Sequence, residues 1–194
     1  MMPGRRAVEG FCLAKCRFVL LLLLSLIALT TQAQSGVPPL LTAADKGNVA
    51  EVQALLAKGS KVNTQDNRGR TALMLAAGRG HRAVVDILLS AGANVATRDS
   101  DGDTALKYAA WNDDVAIIQS LIDKGADVNA VSHFKISPLR VAATSGHTQV
   151  VKVLLKHGAD PNIRGKDGLT AISFAKARVH VEIVNLLREA GADE

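Results

Sequence analysis

Three histidines are the side chains of this sequence that are best suited to bind a metal ion. His81, His147 and His180 fall at one phase of a 33-residue spacing, and Asp114 occupies the intervening position. Ligands of one zinc ion lie about 2 Å from it, whereas neighbouring packed helices lie about 8–10 Å apart. Because His81 and His147 are two such spacings apart, we predict no metal site here.

A second candidate for metal binding is the alternation of Asp99, Asp101 and Asp103, which resembles the start of a calcium-binding loop. Gly102 falls within the alternation, and no bidentate glutamate stands where such a loop would end. We therefore interpret these aspartates as solvated loop residues or as contacts to a partner.

Two further patterns could indicate catalysis or nucleotide binding. The segment from Gly78 to Ala83 matches G-x-G-x-x-A, but a helical pattern precedes it where a dinucleotide site needs a strand. Ser137 and Ser173 lack plausible histidine and aspartate partners, and Ser137 stands at a helix-capping phase. The sequence therefore predicts neither an enzyme nor a cofactor.

The N-terminal segment has the features of an export signal. Four basic residues precede a Leu-rich stretch of 12 residues, Phe18 to Leu29, and Thr31-Gln32-Ala33 follows. The stretch is shorter than the roughly 20 apolar residues that span a bilayer. We predict a signal peptide over residues 1–33 with cleavage after Ala33. The alternative is an uncleaved anchor; a mitochondrial presequence fits less well, because it would be amphipathic.

The positions of the cysteines and of the charges limit which cellular compartments and which classes of partner are consistent with the sequence. Cys12 and Cys16 both lie in the predicted signal peptide, so the mature chain could form no disulfide. There is no Asn-x-Ser/Thr acceptor for glycosylation, and a Gram-negative periplasm fits best. The net charge of +5 is concentrated in the signal segment, which argues against nucleic-acid binding by the rest. We expect membrane contact only during export.

A 33-residue period organises the remainder of the chain. Each unit contains two short helical patterns, such as Ala72–Gly78 and Arg82–Ser90, followed by a Gly-Ala-Asn/Asp turn. The equivalent positions of successive units include Thr71, Thr104, Ser137 and Thr170, and Gly92, Gly125, Gly158 and Gly191. Self-similarity at a fixed period of this size predicts a solenoid.

The units resemble ankyrin repeats. Residues 69–95 follow the family pattern closely, as do Ser137-Pro138-Leu139 with Ala142-Ala143, and the segment from Gly146-His147 to Gly158-Ala159-Asp160. The resemblance covers about residues 38–194. It implies an all-α solenoid of stacked helix-turn-helix units with β-turn fingers, and a role in binding another protein. It also implies that the three histidines fasten each inter-helix turn to neighbouring backbone.

The phase of the period gives the boundaries of the units. We predict an N-terminal linker and capping repeat over 34–66, full repeats over 67–99, 100–132 and 133–165, and a C-terminal capping repeat over 166–194. Lys176 and Arg188 would place charge in a packed seam if another unit followed. We expect the folded domain to be a monomer.

Three departures from the pattern predict local changes of backbone. Lys135 replaces a finger glycine, so it either adopts the left-handed conformation or reshapes the finger. Asp113 replaces a turn glycine and would tolerate a positive φ there better than most residues. Val179 replaces the same glycine in the last unit. Because a β-branched residue avoids a positive φ, we expect a different connection there.

The resemblance also implies a partner-binding surface, formed by the fingertips and the C-terminal ends of the first helices on the concave side of the stack. The matching residues are Arg68, Arg70, Asp101, Asp103, Phe134, Ile136 and Leu169 on the fingers, and Arg79, Trp111, Asn112, Thr144 and Arg178 at the helix ends. We call these twelve residues the finger surface.

Within the finger surface, we expect Trp111 to be the anchor for a partner, with Phe134 and Ile136 as its neighbours. The alternative is that Trp111 packs onto its own finger. Tyr108 and Phe174 fall at the phase of Leu75 and Val141, so we predict that both belong to the core.

The sequence therefore predicts a non-enzymatic, periplasmic module that binds a protein partner of unknown identity. A secreted effector or inhibitor that acts on a host or competitor protein is the alternative. An enzyme is the least favoured class, since no catalytic constellation emerges.

Overall fold

A computed structural model describes residues 37–193, which form five successive helix pairs. The predicted signal peptide and its cleavage site lie outside the described residues. The helices are α1 Pro39–Asp45, α2 Val49–Ala57, α3 Ala72–Arg79, α4 Arg82–Ser90, α5 Ala105–Ala109, α6 Val115–Asp123, α7 Pro138–Ser145, α8 Thr148–Lys156, α9 Ala171–Ala177 and α10 Val181–Glu189. Between residues 37 and 193 there is no strand, only an isolated bridge between Gln65 and Thr71. The solenoid predicted from the period, and the all-α architecture that the resemblance implies, are confirmed.

In four of the five pairs the first helix begins at a hydroxyl residue of the period, whereas α1 begins after Pro38. The hydroxyl of Thr71 accepts a hydrogen bond from the N–H of Met74, and that of Ser137 accepts one from the N–H of Arg140. These bonds satisfy N–H groups that a helix start would otherwise leave unpaired. In α9 the hydroxyl of Ser173 accepts from the N–H of Thr170. Ser137 and Ser173 therefore cap helices.

The helices form two layers with the core between them. First helices pack against first helices of adjacent units, and second helices against second helices. Paired alanines such as Ala76 and Ala77 are fully buried between first helices, where small side chains allow a close approach. The core leucines of the second helices are Leu88, Leu121, Leu154 and Leu187, all of which are fully buried.

The turn inside each pair uses a left-handed residue in four of the five units. Gly47, Gly80 and Gly146 have positive φ, and Val179 has a φ of 60°. The expectation of a different connection at Val179 is therefore wrong. Val179 can occupy the usual turn because, within residues 37–193, no following unit places a histidine ring against it. By contrast, a Cβ on Gly146 would lie 2.8 Å from the ring of His180.

The turn that does change is the one in the third unit. Asp113 has no positive φ, and α5 contains only five residues because the chain leaves the helix early. Asp114 instead caps α6 by accepting hydrogen bonds from the N–H groups of Ala116 and Ile117. In the first-helix layer, packing is sparsest between α5 and α7 and closest between α3 and α5.

Two sets of hydrogen bonds connect the fingers from one unit to the next. At the tips, the N–H groups of Ser100, His133 and Lys166 donate to the carbonyls of Arg68, Asp101 and Phe134, at 2.8, 2.8 and 3.1 Å. Close to the C-terminal ends of the second helices, the side-chain oxygens of three asparagines accept hydrogen bonds from N–H groups of the following units. These asparagines are Asn63, Asn129 and Asn162.

Candidate partner-binding surface

Histidine side chains fix the turns that border the finger surface. The Nε2 atom of His81 lies 3.0 Å from the carbonyl oxygen of Asp45, that of His147 lies 3.1 Å from that of Trp111, and that of His180 lies 3.4 Å from that of Thr144. The implied structural role of the histidines is therefore confirmed.

The third unit has no histidine at this phase, and Asn112 supplies the missing connection. Its side-chain amide donates to the carbonyls of Ala77, at 3.3 Å, and Gly78 in the preceding unit. Asn112 is half-buried. It therefore positions the turn on which Trp111 is carried.

The shape of three of the four fingers depends on one buried side chain that accepts two backbone hydrogen bonds. A carboxylate oxygen of Asp99 accepts from the N–H groups of Asp101 and Asp103, at 2.9 and 2.8 Å. Asp66 does the same in the preceding finger, and Ser132 in the following one. The interpretation of Asp99 as a solvated residue is wrong, because its side chain is consumed in holding the finger.

The surroundings of the fingers shift the pKa values of two aspartates, Asp66 and Asp103, in opposite directions. Burial would raise the pKa of Asp66, but hydrogen bonds from the Arg70 side chain and from the backbone of Arg70 and Arg68 outweigh it and lower that pKa. Burial raises the pKa of Asp103 despite its ion pair with Lys107, and the carboxylates of Asp99 and Asp101 add to the rise. Asp103 is half-buried, so it is less available to a partner than the exposed Asp101.

Tyr108 connects the finger of its unit to the core. The half-buried ring packs against the core, and its hydroxyl donates to a carboxylate oxygen of Asp99 at 2.8 Å. Burial and the adjacent carboxylate raise the pKa of the phenol well above its usual value. The predicted core role of Tyr108 is confirmed, with an added polar role.

The last finger is held in another way, because Gly165 stands where the other fingers have Asp or Ser. Arg140 fills the space: a Cβ on Gly165 would lie 1.9 Å from its guanidinium. Arg140 is buried, pairs with the carboxylate of Asp167, and lies 4.1 Å from the ring centroid of Phe174. The hydrogen bond from Arg140 lowers the pKa of Asp167.

The prediction that Phe174 belongs to the core needs a correction. Its ring is only half-buried, and the guanidinium of Arg140 lies over it. A cation over the face of an aromatic ring is attracted to it, so the ring supports the last finger instead of filling the apolar core.

Three large apolar side chains of the finger surface are exposed. Trp111 is 58% exposed, Phe134 57% and Leu169 44%. Trp111 lies just beyond the C-terminal end of α5, whereas Phe134 lies on a fingertip. Ile136 is half-buried and packs against the core, so only part of its side chain is accessible to a partner.

Three arginines of the finger surface lie in or near ion pairs with carboxylates. Arg70 contacts Asp66 at 2.8 Å, Arg79 contacts Asp45 at 2.9 Å, and Arg68 lies 3.8 Å from Asp101. Asp45, Arg70 and Arg79 border a cavity of about 180 Å³ between the first units, which Tyr108 also lines. At the other end of the first-helix layer, Arg178 is exposed and Thr144 is half-buried.

Among residues 37–193, no group of three or more His, Cys, Asp or Glu side chains is arranged to hold a metal ion. Over the same residues, no helix has the length and apolar character needed to cross a bilayer.

Sequence reasoning missed several residues that position the surface. Asp66, Asp99 and Ser132 follow one another at intervals of 33 residues. Asn63, Asn129 and Asn162 follow the same spacing, except that the position between the first two is not asparagine. Their polar side chains at a fixed phase were the available signal. Arg140 and Gly165 had no such signal, because their relation depends on space that only the folded chain defines.

Stacked helix pairs with a row of fingers define the class of helical repeat solenoids. A sequence model of the family described as "Ankyrin repeats (3 copies)" matches residues 12–99, 40–132 and 108–194. The chain therefore belongs to the ankyrin repeat family, whose members are generally protein–protein interaction modules. A search of curated proteins finds no match.

Proposed function

We propose that the protein is a non-enzymatic interaction module that is exported to the periplasm and binds one protein partner through its finger surface on the concave side. The observation that carries the proposal is the exposure of Trp111 and Phe134, each more than half accessible in a fold whose other aromatic residues of the described part are half-buried. Exposed aromatic side chains that stand on a rigid scaffold are the usual anchors of protein interfaces.

The scaffold supports the proposal, because it holds both side chains in place. Histidine and asparagine bonds on either side fix the turn that carries Trp111. Phe134 lies on a finger held by Ser132, and its carbonyl accepts from the next finger. A preorganised surface loses less conformational entropy on binding. The paired arginines at the rim would orient a partner more than they would hold it.

The test compares Trp111→Ala with Leu121→Ala. We expect the first to weaken binding by at least about 2 kcal/mol, the hot-spot scale, with little loss of stability because Trp111 is mainly exposed. We expect the second to destabilise the fold by roughly 2–5 kcal/mol, because it empties a fully buried site. Partner captured from a periplasmic extract and thermal melts of both variants provide the measurements.

The proposal would be overturned if Trp111→Ala destabilised the protein as Leu121→Ala does, while the folded fraction still bound the partner normally. Export is tested separately by the intact mass of protein purified from the periplasm. A mass that includes residues 1–33, or recovery from the cytoplasm alone, would contradict the export part of the proposal.

A further inference from the structure

The end of the finger row combines apolar and cationic side chains in one patch. We define the last-finger patch as Phe134, Lys135, Lys166 and Leu169. The N–H of Lys166 donates to the carbonyl of Phe134 at 3.1 Å, and its ammonium lies 5.8 Å from the Phe134 ring centroid. The N–H of Gly165 donates to the carbonyl of Leu169 in the same finger. The patch is therefore continuous over two fingers.

The cations of this patch differ from three of the four arginines of the finger surface. Arg68, Arg70 and Arg79 each have a carboxylate partner, and Asp167 is paired with Arg140. Among residues 37–193, no carboxylate lies within ion-pair distance of Lys135 or Lys166, and both side chains are exposed. Two positive charges without counter-charges thus flank an exposed aromatic ring.

The backbone at Lys135 points to a role for its side chain. Lys135 has a φ of 56°, whereas the equivalent positions, Gly69, Gly102 and Gly168, are glycines. An L-residue in this conformation is strained, and the exposed side chain gains no packing that would offset the strain. The finger requires the conformation but not a lysine, and a strained residue where glycine would fit without strain is a feature of functional sites.

We infer that the last-finger patch binds an acidic segment of the protein partner. An apolar side chain of that segment packs against Phe134 and Leu169, and flanking carboxylates pair with Lys135 and Lys166. The inference rests on the proposed function and adds the chemistry of the partner. Two lysines are too few for nucleic-acid binding, which neutralises many phosphates, and too few for attachment to an anionic membrane, which takes a cluster of basic residues.

The test uses a fluorescent synthetic peptide with one leucine flanked on both sides by glutamates, titrated against the mature protein by anisotropy. Matched peptides replace the glutamates with glutamine or the leucine with alanine. We expect the acidic leucine peptide to bind about tenfold more tightly than either, and its affinity to fall as the salt concentration rises.

The variant Lys135→Gly/Lys166→Gln removes both charges and places glycine where φ is positive, so it should fold at least as stably. Its affinity for the acidic peptide should fall about tenfold, as expected for the loss of two exposed charge pairs. The control variant Lys124→Gln/Lys156→Gln removes two exposed lysines from the ends of second helices and should leave the affinity unchanged.

The inference is overturned if the acidic peptide does not bind, if the glutamine peptide binds equally well, or if both double variants have the same affinity. Equal binding of a short oligonucleotide or of phosphatidylglycerol vesicles would assign the patch to phosphate and would also overturn it. If the partner is captured normally by Lys135→Gly/Lys166→Gln but lost by Trp111→Ala, the proposed function stands and this inference fails.

Discussion

Single residues at two turns show how backbone strain is distributed in this fold. Val179 has a positive φ and a side chain that is 77% exposed, so it pays the conformational cost of a β-branched residue without packing in return. Lys135 is in the same conformation on a fingertip. At Lys135 the proposed partner contact accounts for the strain, whereas at Val179 the described structure leaves room for the valine but gives it no contact that would offset the strain.

Replacing Val179 with glycine is expected to stabilise the protein by about 0.5–1 kcal/mol. Relief of the left-handed strain exceeds the added entropy of glycine in the unfolded chain. Thermal melts should show a rise of about 2–4 °C per kcal/mol for a domain of this size. The variant Val179→Ala keeps the positive φ and should gain less. A lower melting temperature for Val179→Gly would refute the account of strain.

Tyr108 is the only tyrosine of the chain, so an absorbance titration near 295 nm reports on it alone. Its pKa is raised, by burial first and then by Asp99. The stability that the protonated phenol provides is fully present below the unfolded pKa of about 10, and it is lost as the pH rises through the folded pKa. We expect tyrosinate to appear only well above pH 10. A midpoint at 10, with native circular dichroism, would contradict the buried contact with Asp99.

At the scale of the structural element, the fingers are held by side chains that repeat with the period. The asparagine connection is present at Asn63, Asn129 and Asn162 but missing at Ala96, which occupies the equivalent position. The side chains of these asparagines both accept from and donate to the following unit. The joint between the second and third units therefore lacks two hydrogen bonds that the others have.

The variant Ala96→Asn should supply the missing connection and stabilise the fold by about 1 kcal/mol, the net value of an intramolecular hydrogen bond. Its acceptor would be the carbonyl of Gly125, and its donor the N–H of Asp127. Urea denaturation measures the change in the free energy of unfolding. The reverse variant, Asn129→Ala, should lose a comparable amount. Equal stability of Ala96→Asn and the wild type would show that the connection contributes nothing.

The helices and their phase could be predicted from the sequence, because apolar spacing and capping residues are local signals. The turns were harder to predict. Gly80 and Gly146 suggested a positive φ at Asp113, and the branched side chain of Val179 suggested a different connection in the last unit. The third unit avoids that conformation by ending α5 early, and Val179 adopts it despite its branched side chain. Both results depend on whether a histidine of the next unit packs against the turn, which is a tertiary relation.

The position of each residue within the repeat predicted which residues belong to the finger surface. It did not predict which of them are exposed to a partner. Burial separates Asp103 and Ile136, which are half-buried, from Phe134, which is exposed. The sequence also gave no indication that Arg140 fills the space next to Gly165 and pairs with Asp167. Long-range ion pairs of this kind lack a periodic pattern, because only one unit contains them.

At the scale of the whole molecule, we expect the described stack to divide at the joint between the third and fourth units. Packing in the first-helix layer is sparsest there. In a repeat protein, stability is approximately the sum of the units and their nearest-neighbour interfaces. The weakest interface is then the boundary between cooperative blocks.

Native-state hydrogen exchange should therefore reveal two blocks, one over α1–α6 and the other over α7–α10. The variant Leu73→Ala should lower protection mainly in the first block, and Leu139→Ala mainly in the second, since both side chains are fully buried. Uniform loss of protection over all ten helices in either variant would show that the stack unfolds as one unit.

The sparse joint between α5 and α7 also has a mechanical consequence. When the two ends of the stack are pulled apart, the same load passes in series through every joint, so the joint with the least contact yields first. Trp111 lies beside this joint and Phe134 lies beyond it, so stretching would separate the two side chains before any helix unwinds. The stack would then behave as two stiff rods joined by one compliant spring, and tension could release a partner that spans it.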